Sequence, residues 1–185
     1  MDYIKLAVSK DKSRESLMYI YRDKDRLIAT DGHRMHWKDS TLIDTPHYID
    51  GYDGTFPEYL QVIPTKAPSY KVHLSLDRDQ LNQLKKIRDL IKLTDKNCSV
   101  VFLFETSKIS LIINQSGLRL YFDFTVTSIT ESVKLKLGFN LNYFIDAVEI
   151  PSKANKPLEL ELRGEFDPML INSDIGTALV SPCRI

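Results

Sequence analysis

The sequence predicts an α+β protein built mainly from antiparallel strands, with few helices. Three observations support this class. Many short segments are rich in β-branched and aromatic residues, two of them alternate apolar and charged residues, and only two stretches have the spacing of an amphipathic helix. The alternating segments, Val133–Leu137 and Leu158–Leu162, indicate strands with one buried and one solvated face.

Other predicted strands form groups that suggest a weak internal repeat of three units. The first unit is incomplete, because only Tyr3–Val8 precedes its strands, either as a helical remnant or as a strand. Turns are expected at residues 23–25 and 31–32 of this unit. The strands predicted in the first two units are Leu17–Tyr21, Leu27–Thr30, Arg34–Trp37, Val100–Phe104, Ile109–Ile113 and Leu118–Phe124.

The first predicted helix runs from about Asp77 to Leu93, with Asp77 as N-cap and Gln80 at the capping-box position. At about 100° per residue, one side of this helix is apolar and an adjacent ridge is basic. The ridge would either track phosphates or be a solvated helix face. The apolar residues are Leu81, Leu84, Ile87, Leu90 and Ile91, and the basic ones are Arg78, Lys85, Arg88 and Lys92.

The second predicted helix is Leu141–Glu149, capped by Asn140 and ended by Pro151. Its apolar stripe indicates burial of one face, and these nine residues include no basic side chain.

Composition and charge fit a globular domain of 185 residues, of which 43% are hydrophobic. The 25 basic and 25 acidic residues cancel, so net charge alone does not favour a nucleic-acid partner. No apolar run reaches the roughly 18 residues of a membrane span, and residues 1–5 do not resemble a signal peptide. Cys98 and Cys183 are expected to be reduced and buried in a cytoplasmic protein, with a disulfide as the alternative.

The segment from Ala29 to Met35 contains the residue types of a catalytic or metal cluster. His33 and His36 are three apart, but positions three apart on a strand point to opposite faces, so a metal site is not expected. Asp31-Gly32 instead predicts a hairpin turn with glycine at positive φ. The sequence has no Gly-x-Ser-x-Gly, Walker or GxGxxG motif, and we expect neither an enzyme nor a cofactor.

Four tracts of the chain together resemble one family, the bacterial β sliding clamp, which is the processivity subunit of the replicative DNA polymerase. They are residues 7–35, which include Ala-Thr-Asp-Gly-His-Arg, then Asp53–Tyr59 with Val62–Pro64, Gly138–Tyr143 and Ser181–Ile185. The resemblance implies the DNA-clamp fold, with antiparallel sheets and a few helices packed on one face.

The resemblance also implies a shortened chain. Residues 1–52 correspond to the first half of a middle-type clamp domain, 53–69 to a connector and 70–185 to a complete C-terminal clamp domain. The family's first domain, and most of the second half of its middle domain, have no counterpart here.

In the clamp family, polymerases and repair proteins insert short apolar peptides between the middle and third domains. The resemblance implies that the corresponding pocket uses residues from the first unit, the connector and the C-terminal tail. The tail alone, ending beyond Pro182, would either cover the core or form one wall of a groove. The implied pocket residues are Leu17, Thr30, Gly32, His33, Arg34, Met35, Pro57, Gln61, Val62, Leu179, Ser181, Pro182, Cys183, Arg184 and Ile185.

Three functions follow from the resemblance. The first is a processivity factor of DNA replication that forms a homo-oligomeric ring, such as a tetramer, around duplex DNA, with Arg78, Lys85, Arg88 and Lys92 facing the DNA. The second is a module without a ring that recruits or sequesters clamp-binding replication and repair proteins. The third is a small structural protein that has lost both activities.

Overall fold

The computed structural model describes residues 2–95, 97–105, 108–115, 118–129 and 134–184. It confirms an α+β architecture of antiparallel strands with two α-helices in this part of the chain. The helices are α1 (Arg78–Ile91) and α2 (Leu141–Lys153). The strands are β1 (Tyr21–Thr30), β2 (Arg34–Tyr48), β3 (Tyr70–Leu74), β4 (Ser99–Glu105), β5 (Lys108–Gln115), β6 (Leu118–Ile129), β7 (Lys134–Asn140), β8 (Leu158–Leu162), β9 (Met169–Ser173) and β10 (Gly176–Val180).

The strands are hydrogen-bonded in the order β1-β2-β10-β9-β8-β3-β6-β5-β4-β7. Strand β6 belongs to two sheets, because its first part pairs with β5 and its last residues pair with β3. The first unit joins the C-terminal part through β2 and β10, where Met35 lies opposite Leu179. The sheet is therefore continuous between segments 1–52 and 70–185. The division into a partial domain, a connector and a complete domain stays a prediction.

The first unit differs from its predicted three strands. Leu17 ends a short 3-10 helix, Glu15–Leu17, so the predicted strand Leu17–Tyr21 is wrong. The predicted turn at residues 23–25 is also wrong: Lys24 lies inside β1 at a φ of 55°, flanked by register shifts against β2. A bulge keeps the chain in one strand because the extra residue bends the ladder without ending it. Residues Ile4–Ala7 form a 3-10 helix, the helical alternative for this segment.

Helix α1 begins with the predicted capping box. The Asp77 side chain accepts a hydrogen bond from the Gln80 backbone N–H at 2.7 Å, and the Gln80 side chain accepts one from the Asp77 N–H at 3.0 Å. Leu81, Leu84 and Ile91 are buried, but Leu90 is 52% exposed, which corrects its predicted place on the apolar face. Leu90 lies roughly 100° around the helix axis from Ile91, which takes it away from the sheet.

Helix α2 begins at the predicted cap, where the Asn140 side chain accepts a hydrogen bond from the Asn142 N–H at 2.9 Å. It continues through Pro151 to Lys153, so the predicted end at this proline is wrong. Pro151 lacks one N–H donor, but its carbonyl accepts hydrogen bonds from Ala154 and Lys156, which hold the final turn. The longer helix adds one basic residue, Lys153, beyond the predicted segment Leu141–Glu149, which has none.

Two hydrophobic clusters hold the fold together. The larger lies between the helices and the sheets and includes five nearly inaccessible phenylalanines as well as Ile4 and Ala7 of the N-terminal 3-10 helix. The smaller connects the hairpin β1–β2 to the connector and β10. It contains Ile28, Met35, Tyr48, Phe56, Leu170 and Leu179.

Both cysteines carry free thiols, and Cys98 is buried as expected. Cys183 is only half-buried, which corrects the prediction of two buried cysteines, because the tail beyond β10 leaves the sheet. Within the described ranges, neither helix is long and apolar enough to cross a membrane.

Candidate functional site

The loop between β1 and β2, residues 31–33, is called the hairpin tip. It has the predicted turn chemistry: Gly32 has a φ of 89°, and the Asp31 carboxylate accepts hydrogen bonds from the backbone N–H groups of His33 and Arg34 at 3.0 and 3.1 Å. The Thr30 hydroxyl donates to the Arg34 carbonyl at 2.7 Å. These local bonds replace the ladder at the turn and stabilise the turn itself.

The hairpin tip lies beside the end of β10. Val180 is opposite Arg34 in the ladder, and the Ser181 N–H donates to the His33 carbonyl at 3.0 Å. His33 is exposed at the tip, whereas His36 is fully buried within β2, so the two histidines do not face one another.

The connector folds onto the hairpin through aromatic contacts. The rings of Phe56 and Tyr21 stack with centroids 4.5 Å apart, and the Tyr59 hydroxyl donates to the Asp23 carboxylate at 2.7 Å. Burial raises the pKa of Tyr59 to about 12, so the phenol keeps the proton that it donates. These contacts bring Pro57 and Val62 close to the hairpin tip.

A pocket of about 160 Å³ lies where the hairpin, the connector and β10 meet. Pockets for whole small molecules usually measure about 300–1,000 Å³, so this one is sized for a few side chains. Ten of its twelve lining residues are among the implied pocket residues; Glu58 and Tyr59 were missed, although both directly follow Pro57. The lining is Leu17, Thr30, Gly32, His33, Arg34, Met35, Pro57, Glu58, Tyr59, Val62, Leu179 and Ser181.

The C-terminal tail lines a different cavity, of about 670 Å³. Its walls are Pro182, Cys183 and Arg184, with Lys136 and Gly138 of β7 and the β8–β9 loop residues Glu165 and Phe166. The Cys183 N–H donates to the Gly138 carbonyl at 2.8 Å, which holds the tail against β7. The structure thus separates these three tail residues from the smaller pocket. Gln61 lines neither cavity, and Ile185 lies outside the described residues.

The four basic residues of α1 differ in their surroundings. Arg78 and Lys92 are exposed, at the two ends of the helix. Lys85 pairs with Glu149 of α2 at 2.6 Å, and Arg88 pairs with its neighbour Asp89 at 2.9 Å. The Lys153 ammonium also contacts Glu149, at 2.5 Å. Part of the predicted basic ridge is therefore neutralised by nearby carboxylates.

Solved structures that share this arrangement of antiparallel sheets and two helices are sliding clamps, which places the molecule in the DNA-clamp class of folds. Within that class, the fold is that of the bacterial DNA polymerase III β subunit, the sliding clamp. The Borrelia burgdorferi β subunit, solved in complex with a natural product, aligns with a TM-score of 0.80 at 18% identity over 99% of this chain and 60% of that chain.

Two further solved structures agree. The Bacillus subtilis sliding clamp aligns with a TM-score of 0.79 at 17% identity, over 99% of this chain and 61% of the other. The Bartonella birtlesii clamp bound to griselimycin aligns with a TM-score of 0.74 at 20% identity, over 100% of this chain and 62% of the other. This chain thus spans about three-fifths of these clamps, and at such identities the likeness establishes the fold alone. Protein-family models and curated protein sequences give no match.

Proposed function

We propose that this protein is a sliding-clamp-like protein of DNA replication that binds apolar peptide segments of DNA polymerases and other clamp-binding proteins. The observation that carries this proposal is the pocket at the hairpin–connector junction, which gathers residues from three separate parts of the chain. No bond-making chemistry is required of these residues, so the protein acts by binding.

The pocket has an apolar floor and a polar rim. Leu17, Met35 and Leu179 are less than 8% exposed and form the floor, while Val62 is 55% exposed at the mouth. Burying one leucine or phenylalanine side chain of a peptide there would contribute about 1.5–3 kcal/mol. The polar rim, with His33 and Ser181, would then orient the peptide backbone.

A longer peptide would continue into the cavity lined by the tail. Ser181 lines the pocket and the next residue, Pro182, lines the larger cavity, so the two sites adjoin along the chain. In this proposal Pro182, Cys183 and Arg184 contact residues of the peptide that lie outside the apolar pocket. The exposed ring of Phe166 would offer a further apolar contact.

Replacing His33 by Glu is expected to weaken peptide binding at least tenfold, which corresponds to about 1.4 kcal/mol. The new carboxylate would stand on the hairpin tip beside Asp31, and a bound apolar peptide would have to desolvate it. The measurement is titration calorimetry with griselimycin and with a short leucine- and phenylalanine-containing peptide.

The matched control is His47→Glu, the same change on a half-buried histidine at the far end of β2. This control should keep the wild-type affinity. Deletion of residues 183–185 should also weaken the binding of a peptide long enough to reach the larger cavity, because it removes one wall of that cavity. The peptide-binding proposal would be contradicted if the wild-type protein bound neither probe. It would also be contradicted if neither His33→Glu nor the deletion of residues 183–185 altered the affinity.

Encircling duplex DNA as a homo-oligomer, for example a tetramer, is the second candidate function. Two features favour self-association: β1 and β7 are the terminal strands of the hydrogen-bonded order, and the apolar side chains of Leu90 and Leu93 are 52% and 80% exposed. Edge strands and exposed apolar groups are the usual sites of pairing between chains. In a ring, Arg78, Lys85, Arg88 and Lys92 would make salt-sensitive phosphate contacts.

Light scattering after size exclusion tests the oligomer. A ring former is expected to elute as a defined oligomer whose mass falls when Leu90 and Leu93 are both replaced by Glu. A strictly monomeric protein at high concentration would exclude the ring. It would leave the peptide-binding module, which recruits or sequesters clamp-binding proteins, as the function.

A further inference from the structure

One guanidinium connects the hairpin tip to helix α2. The Arg34 Nε donates to the Asp31 carboxylate at 3.0 Å, and its Nη1 donates to the Asp146 carboxylate of α2. The three side chains are 11%, 15% and 25% exposed, respectively, so water has limited access to them. Charge-assisted hydrogen bonds of this kind fix the donor geometrically, because the guanidinium is planar.

The same turn of α2 holds the tip by ring contacts. The Arg34 guanidinium carbon lies 4.6 Å from the centroid of the Tyr143 ring, and the His33 ring stacks on Tyr143 with centroids 6.3 Å apart. Tyr143 and Asp146 are three residues apart on a helix and therefore lie on the same side of it. The tip thus rests on one surface of α2.

Asp146 itself lines neither the pocket nor the larger cavity. It is connected to the pocket through Arg34, which lines the pocket and donates hydrogen bonds to the carboxylates of Asp31 and Asp146. The β2–β10 ladder ends at the Val180–Arg34 pair, so residues 31–33 lie beyond it, held to β10 by the bond between Ser181 and His33. Side-chain contacts to α2 add a restraint on the tip beyond the hydrogen bonds within the turn and the one from Arg14 Nη1 to the Asp31 carbonyl at 3.2 Å.

We propose that Asp146 is a positioning residue for peptide binding: through Arg34 it holds the hairpin tip in the orientation that forms the pocket wall. This inference rests on the proposed peptide-binding function. Without Asp146 the tip samples other orientations, and the apparent affinity is the intrinsic affinity multiplied by the fraction of molecules that keep the competent orientation. A helix outside the pocket therefore controls how well the pocket is formed.

Asp146→Ala is expected to weaken griselimycin binding about tenfold. This factor corresponds to roughly one molecule in ten having the tip in the binding-competent orientation. Asp146→Asn keeps the size of the side chain but removes its charge, and should give a smaller loss. The amide hydrogens of His33 and Arg34, which donate to Asp31, should exchange faster in Asp146→Ala than in the wild type. Exchange at the tip and affinity should change together.

The matched control is Asp174→Ala. It removes a 66% exposed carboxylate that pairs with Lys156 at 3.1 Å in the β9–β10 turn, and it should alter neither affinity nor exchange at the tip. Wild-type affinity in both Asp146 variants, with binding by the wild-type protein intact, would overturn the positioning role alone. If the wild-type protein binds neither griselimycin nor the peptide, the peptide-binding proposal fails first. In that case the exchange measurement still tests the positioning role. Amide hydrogens of His33 and Arg34 that exchange at the wild-type rate in Asp146→Ala would overturn it.

Discussion

Replacing Phe102 by Ala is expected to lower the free energy of unfolding by about 3–5 kcal/mol, which is typical of a fully buried phenylalanine. Phe102 lies on β4 with no exposed surface, between the sheet and α2. The loss combines the transfer free energy of the ring with the cavity that it leaves, since close-packed neighbours relax only in part. Its aromatic neighbours are Phe144 at 4.9 Å between centroids, Phe139 at 5.9 Å, Phe104 at 6.3 Å and Phe124 at 6.5 Å.

Denaturant unfolding followed by circular dichroism measures this loss as a lower transition midpoint. Phe166→Ala is the matched control: the ring is 87% exposed in the β8–β9 loop, and its removal should change the free energy of unfolding by less than about 0.5 kcal/mol. A Phe102→Ala protein as stable as the control would contradict the proposed position of the main core.

The second large effect is a loss of stability in mild acid, caused by His36. The side chain is fully buried, stacks on Tyr3 at 4.6 Å and donates from Nδ1 to the Tyr3 carbonyl at 2.9 Å. Its Nε2 has no hydrogen-bond partner among the described residues. Burial lowers the pKa of His36 from 6.5 to about 4, with the hydrogen bond to Tyr3 opposing the shift.

The sign follows from proton binding. Between pH 6.5 and 4 the unfolded chain takes up a proton that the folded protein does not, so stability is complete above pH 6.5 and falls as the pH drops towards 4. At about 1.4 kcal/mol for each pH unit, the loss is roughly 3 kcal/mol. Unfolding free energies measured across this pH range test the prediction.

His36→Gln is the matched variant for this measurement, since glutamine is polar and does not titrate. The pH dependence between 6.5 and 4 should be clearly smaller in the variant than in the wild type. Carboxylates contribute to both proteins alike, so the difference between the two curves isolates His36. Identical curves would show that His36 does not titrate between the folded and unfolded states as proposed.

Local patterns in the sequence were sufficient for the regular elements. The alternation in Leu158–Leu162 matches β8, and Asp77 with Gln80 placed the start of α1, because strand alternation and capping depend on residues close in sequence. The segment Leu17–Tyr21 failed for the opposite reason. Its apolar residues resemble a strand, but Leu17 is buried at the end of a 3-10 helix and Ile20 is buried just before β1 begins.

The predicted pocket rested on the family resemblance, and the structure places ten of its fifteen residues around one cavity. Turn chemistry explained the hairpin tip, including the positive φ of Gly32. The position of Pro182 and Cys183 in a separate cavity depends on the pairing of the tail with β7, which no local pattern indicates. The sequence also does not indicate the ion pair that neutralises Lys85, because its partner Glu149 is 64 residues away in sequence.

The most direct test of peptide binding at the hairpin–connector junction is a titration of isotope-labelled protein with griselimycin, followed through its backbone amide resonances. The proposal predicts saturable shifts at Gly32, His33, Leu179 and Ser181, which surround the pocket. His33→Glu should suppress these shifts, and His47→Glu should not. Shifts confined to another surface, such as the cavity on α2 lined by Glu149, Ile150 and Lys153, would contradict the proposal.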